Sequence, residues 1–87
     1  MSGLTIDEQI ELRARMGAAR LGLTARQTDV ALAITRGHTT SATIATAIGT
    51  TPLYARQLLY EIYDVTGASS KTGLLARVLG LRPGMTA

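Results

Sequence analysis

Four side chains within eight residues, Leu53, Arg56, Gln57 and Tyr60, carry the most specific chemistry in the sequence. An arginine can donate two parallel hydrogen bonds to the edge of a guanine, a glutamine can bond an adenine in the same way, and a leucine can touch the methyl group of a thymine. Tyr54 and Tyr60 can donate to phosphates or to bases. At about 100° per residue, Leu53, Gln57, Tyr60 and Asp64 fall on one side of a helix, with Arg56 on one flank and Tyr54 and Glu61 on the other. Ala55, Leu58, Leu59, Ile62 and Val65 fall together on the opposite side and are expected to face a core. An ordinary solvated helix also shows polar groups of this kind, so spacing alone leaves open whether the face binds anything.

No comparable set points to catalysis or metal binding. Cysteine is absent, so neither disulfides nor thiolate metal sites enter. His38, the single histidine, sits in a loop without clustered acids and reads as a loop side chain rather than a ligand. There is no Ser-His-acid set, no acidic pair with a cleft and no phosphate-cradling glycine motif. Catalytic residues, metals and cofactors are therefore expected to be absent, and the chain is read as a non-enzyme. The formal net charge is +3. Through residue 22, Arg13, Arg15 and Arg20 cancel Asp7, Glu8 and Glu11, so the surplus lies on the remainder and permits an anionic partner. No apolar run approaches the roughly 20 residues that cross a bilayer, and the acidic Asp7-Glu8 is unlike the basic start of a signal peptide. The expected location is the cytoplasm, away from membranes.

The elements that must position these residues read as helices. The core vocabulary is Leu, Ile, Val and Ala, with three tyrosines and no Phe or Trp, which suits small packed helices and predicts an all-α fold. Thr5-Ile6-Asp7-Glu8 has the spacing of a capping box and opens a helix to about Arg20, stopped near Gly22, with Glu11 and Arg15 as an i,i+4 pair. Ile6, Ile10 and Met16 share a side with Arg13 and Arg20, so this helix either docks loosely or uses its arginines beyond the domain. A second capping box, Thr24 to Gln27, opens a helix over about 25–36 that Gly37 closes. Thr39, Thr40 and Ser41 offer alternative caps for a short helix carrying Ile44, Ala45 and Ile48, ending at Gly49. Thr51-Pro52 opens the helix of Arg56 and runs to about Thr66. Ser69 or Ser70 then caps a last helix with Leu74, Leu75, Val78 and Leu79, stopped by Gly80 and Pro83. The organisation is an N-terminal helical extension (1–22), a helical domain (23–80) and a C-terminal tail (81–87).

Residues 23–79, about two-thirds of the chain, resemble the LuxR-type, or GerE-like, helix-turn-helix domain. Leu23-Thr24-Ala25-Arg26-Gln27 stands where that family usually has Leu-Thr-x-Arg-Glu, and the likeness continues through Val30 to Arg36-Gly37. Ile44-Ala45 and Ile48 follow, with Thr50-Thr51 where Ile-Ser is common and Tyr54-Ala55-Arg56 where Thr-Val-Lys is usual. Ile62-Tyr63, Gly67-Ala68-Ser69-Ser70-Lys71 and Leu74-Leu75-Ala76-Arg77 complete the pattern. Departures are one extra residue between Gly37 and Ile44, Ser41-Ala42-Thr43 in place of a stretch that commonly carries Lys-Glu, and Gln27 in place of glutamate.

The resemblance implies a compact, winged-helix-like helix-turn-helix bundle of four helices, preceded here by an additional N-terminal helix. It implies a recognition helix at about 52–66 in the major groove, with Arg56, Gln57 and Tyr60 at the family's base-contact positions and Leu53 beside them. Thr39, Thr50, Thr51, Tyr54 and Lys71 are the expected phosphate contacts. In the family the last helix commonly forms the dimer interface, which implicates Leu74, Leu75, Arg77 and Val78; alternatively, that stripe closes the core. If about three cations per subunit neutralise phosphates, a monomer has a salt slope near −3, too weak to hold a site, so a homodimer is expected. The function expected is a sequence-specific, double-stranded-DNA-binding transcriptional regulator of a bacterium or phage. The rival expectation is a degenerate helix-turn-helix that binds another regulator protein rather than DNA. Residues 1–22 would enlarge the dimer interface, dock on the domain, or contact RNA polymerase or another regulator.

Overall fold

A hydroxyl side chain sets the start of every helix. In the computed structural model, which describes residues 3–80, the helices are α1 (Ile6–Arg20), α2 (Ala25–Thr35), α3 (Ser41–Ile48), α4 (Pro52–Thr66) and α5 (Lys71–Leu79). Thr5, Thr24, Thr40, Thr51 and Ser70 are their N-caps, each accepting a hydrogen bond from the backbone N–H three residues on. Both expected capping boxes form, at Thr5 with Glu8 and at Thr24 with Gln27. Between the alternatives for α3 the chain uses Thr40, whose N–H donates to the Thr43 hydroxyl while its own hydroxyl accepts from the Thr43 N–H. There is no strand among the described residues. The tail from Leu81 lies outside them.

The five helices make one compact bundle, with α2 in contact with each of the other four. Val30 of α2, Ile44 of α3, Ile62 of α4 and Leu74 and Val78 of α5 are its largest fully buried side chains. Burying a side chain of this size stabilises the fold by about 1.5–3 kcal/mol each. α3 packs on α2 and α4, whereas α1 packs on α2 and α5 and touches neither α3 nor α4.

The docking of α1 differs from what its large apolar residues suggest. It buries Ala14, Gly17 and Ala18, and leaves Ile6 and Met16 75% and 62% exposed. Small residues win because the backbones approach so closely: a Cβ on Gly17 would lie 1.6 Å from the Val78 carbonyl oxygen. Polar contacts fix the same interface. Arg36 of α2 forms an ion pair with Glu11, which Arg15 also approaches at 3.6 Å. Arg20 donates from Nη2 to the Arg77 carbonyl at 3.0 Å, a second donor beside the Gly80 N–H at 3.3 Å at the end of α5. Arg20 is thus used within the chain.

α4 corrects one expected core position. Ala55, Leu58, Leu59 and Ile62 are buried, but Val65 is 52% exposed and Thr66 takes its place. Val65 lies at the edge of the stripe, off its axis. Thr66 sits nearer the axis and meets its polar needs locally: Oγ1 donates to the Ile62 carbonyl at 2.8 Å and accepts from the Ala68 N–H at 3.3 Å.

Candidate nucleic-acid interface

The connection between α3 and α4 sets how α4 is presented. Gly49 caps α3 at φ 74°, a left-handed conformation that any side chain would strain. The Thr50 N–H donates back to the Ala45 carbonyl at 2.9 Å, which closes the turn. Thr51 accepts the Tyr54 N–H at 3.2 Å, and Pro52 opens α4 at its first turn, where a missing N–H leaves nothing unpaired. Arg26 steadies the turn from α2, donating from Nη1 to the Ile48 carbonyl at 3.0 Å and lying 3.4 Å from Asp29.

With Ala55, Leu58, Leu59 and Ile62 held inward, the opposite side of α4 stands in solvent. Leu53 is 77% exposed and Tyr60 53%, and Arg56, Gln57, Glu61 and Asp64 are exposed with them. These six line one shallow groove of about 410 Å³. Arg56 and Tyr60 act as a unit: Arg56 Nε donates to the Tyr60 hydroxyl at 3.2 Å, and the guanidinium carbon lies 5.5 Å from the centre of the same ring. The contact holds the guanidinium over the helix face, and Arg56 makes no ion pair among the described residues. Its two terminal nitrogens are thereby left for a bidentate acceptor. Tyr63, one position to the side, packs at the core edge 6.4 Å from Tyr60, and burial pushes its phenol up from the ordinary value.

The structure brings Leu53, Arg56, Gln57 and Tyr60, the four expected base contacts, together in that groove and places Thr50, Thr51 and Tyr54 at the adjoining N-terminal turn of α4. Thr39 lies exposed in the loop before α3, and Lys71 opens α5; neither lines the groove. Leu74 and Val78 of α5 are 0% and 1% exposed, so they fill the core of the single chain and have no surface for a second copy. That is the core-closing alternative for the stripe. Of the dimer set, only Leu75, half-buried, and Arg77, exposed, reach the surface.

Three residues matter more than their types suggest. Gln27 is buried and uses both ends of its amide: Oε1 accepts from the Thr24 N–H at 3.1 Å, and Nε2 donates to Glu61 Oε1 at 3.2 Å. This bond ties α2 to the groove wall. A glutamate at position 27 would set two carboxylates face to face, which gives the amide a physical reason. Arg26 and Arg36 are engaged within the chain, on the turn and on Glu11. Their partners lie 22 and 25 residues away, beyond what local spacing reveals.

Among the described residues no three His, Cys, Asp or Glu side chains come together as a metal site, and no helix is long and apolar enough to cross a membrane. No family model, curated protein or solved structure matches the chain.

Proposed function

We propose that the chain is a sequence-specific, double-stranded-DNA-binding transcriptional regulator of the LuxR-type helix-turn-helix kind, acting as a dimer with α4 in the major groove. The observation that carries this is the exposed face of α4, where the Arg56–Tyr60 unit stands beside Gln57 and Leu53 while the opposite face is buried. Arginine and glutamine are the side chains that read guanine and adenine edges, and the groove edge of thymine adds a methyl for Leu53. The start of α4 offers free N–H groups and the positive end of its dipole to a phosphate, with Thr50 and Thr51 beside it. Glu61 and Asp64 come later on the helix, so the N-terminal turns enter first and keep these carboxylates away from the backbone. The protein acts by binding alone, without a cofactor or a catalysed step.

Selection from a randomised duplex library tests the proposal. The wild type enriches a defined site, and Arg56→Ala loses preference at one position of it, at about 1–3 kcal/mol. Enrichment of the same site by both proteins would overturn the assignment.

One observation favours a second reading, a degenerate domain that binds another regulator protein. The groove on α4 carries one cation against two carboxylates, together with a leucine that is mostly exposed. Absence of any DNA complex at low salt, combined with capture of a defined protein partner that Leu53→Glu abolishes, would support it.

A further inference from the structure

We infer that α1 is the self-association surface of this protein, pairing antiparallel with α1 of a second copy. The large side chains of α1 are not used inside the chain. Leu12 and Met16, one turn apart and 48% and 62% exposed, form a strip on the side away from the buried Ala14, Gly17 and Ala18. Leu4 extends it, and a hollow of about 430 Å³ lined by all three runs between α1 and Leu79. Two copies pairing over a helix of roughly 22 Å hide on the order of 1,000 Å², the lower bound for a specific interface.

The occupant is identified by charge. α1 is acidic in its first half, with Asp7, Glu8 and Glu11, and basic in its second, with Arg13, Arg15 and Arg20. Such a helix repels a parallel copy of itself and attracts an antiparallel one, because the two-fold axis of a symmetric dimer sets each acidic half against the other copy's basic half. α1 touches only α2 and α5, so the pairing leaves the exposed face of α4 free on both copies. It also explains why the core can take Leu74 and Val78: the interface lies on the other helix.

The pairing does not depend on what α4 binds, and its test contains no DNA. Sedimentation equilibrium of the full chain, over a micromolar concentration series, should show the mass rise from 9.2 kDa toward twice that value. Leu12→Glu with Met16→Glu should hold the mass at 9.2 kDa with an unchanged helical circular dichroism spectrum, a weakening of more than about 100-fold. Asp7→Lys with Glu8→Gln leaves Glu11 as the one acid of α1 and makes the helix mostly basic, and Arg13→Glu with Arg15→Glu makes it mostly acidic; each should lose self-association, and mixing the two should restore a dimer. A wild type that stays at 9.2 kDa overturns the inference. So does association that survives Leu12→Glu with Met16→Glu, or that is lost instead on Leu75→Glu with Arg77→Glu.

Discussion

Gln27 shows how a single side chain can couple the fold to the candidate site. Its amide is buried, with one end on the cap of α2 and the other on Glu61 at the wall of the α4 groove. Gln27→Glu should destabilise the protein by about 1–3 kcal/mol at neutral pH, because a buried carboxylate then faces another. Repulsion raises the folded-state pKa of that pair, so the variant regains stability as pH falls and one carboxylate takes up a proton. Urea denaturation at neutral and mildly acidic pH measures both effects, and Gln27→Glu combined with Glu61→Gln should recover most of the loss. Glu11 has the opposite sign. The Arg36 guanidinium beside it holds its carboxyl below the usual range, so its contribution is present above about 4.5, the ordinary value, and is lost as pH falls through the lowered one. Glu11→Gln should remove that part of the acid sensitivity, visible as a flatter stability profile below the ordinary carboxylate range.

At the scale of elements, Gly17 decides how α1 docks. Any Cβ there meets the Val78 backbone, which cannot move without displacing α5. Gly17→Ala is therefore expected to cost upward of about 1–3 kcal/mol, the usual penalty of overpacking, despite alanine's better helix propensity. Thermal unfolding read against Ala19→Gly, an exposed site on the same helix where the reverse change costs roughly 0.5–1 kcal/mol, isolates the packing effect. Helix starts were legible in sequence because a cap is a local matter: Thr5, Thr24 and Thr51 each find a partner within three residues. The docked face of α1 was not. Periodicity weighs large apolar side chains and points to Ile6, Ile10 and Met16, whereas contact through Ala14, Gly17 and Ala18 depends on the approach of α5, from the far end of the chain, at Val78. Val65 failed for a related reason: at the edge of the α4 stripe, burial depends on neighbouring helices rather than on spacing.

For the whole molecule, the exposed set on α4 was readable because a buried stripe of Ala55, Leu58, Leu59 and Ile62 dictates what lies opposite. The charge available to it was less so, because long-range pairing removes Arg20, Arg26 and Arg36 from the free supply. The proposed DNA complex then rests on few cations per copy, Arg56 and the expected phosphate contact Lys71 among them, and on the doubling that the proposed dimer provides. The logarithm of affinity should accordingly fall with the logarithm of salt at a slope near −6 for a dimer engaging about three phosphates per copy. Filter binding over a salt series measures it; a slope near −3 would indicate that one copy binds alone.

The most direct measurement compares a selected duplex with a scrambled one, titrated against wild type and Arg56→Ala at one fixed salt concentration. Arg56→Ala should weaken the selected duplex by about 5- to 150-fold, the equivalent of one bidentate base contact, and leave the scrambled duplex within about twofold. Equal losses on both duplexes, or no loss on either, would contradict the claim that this face of α4 reads DNA sequence.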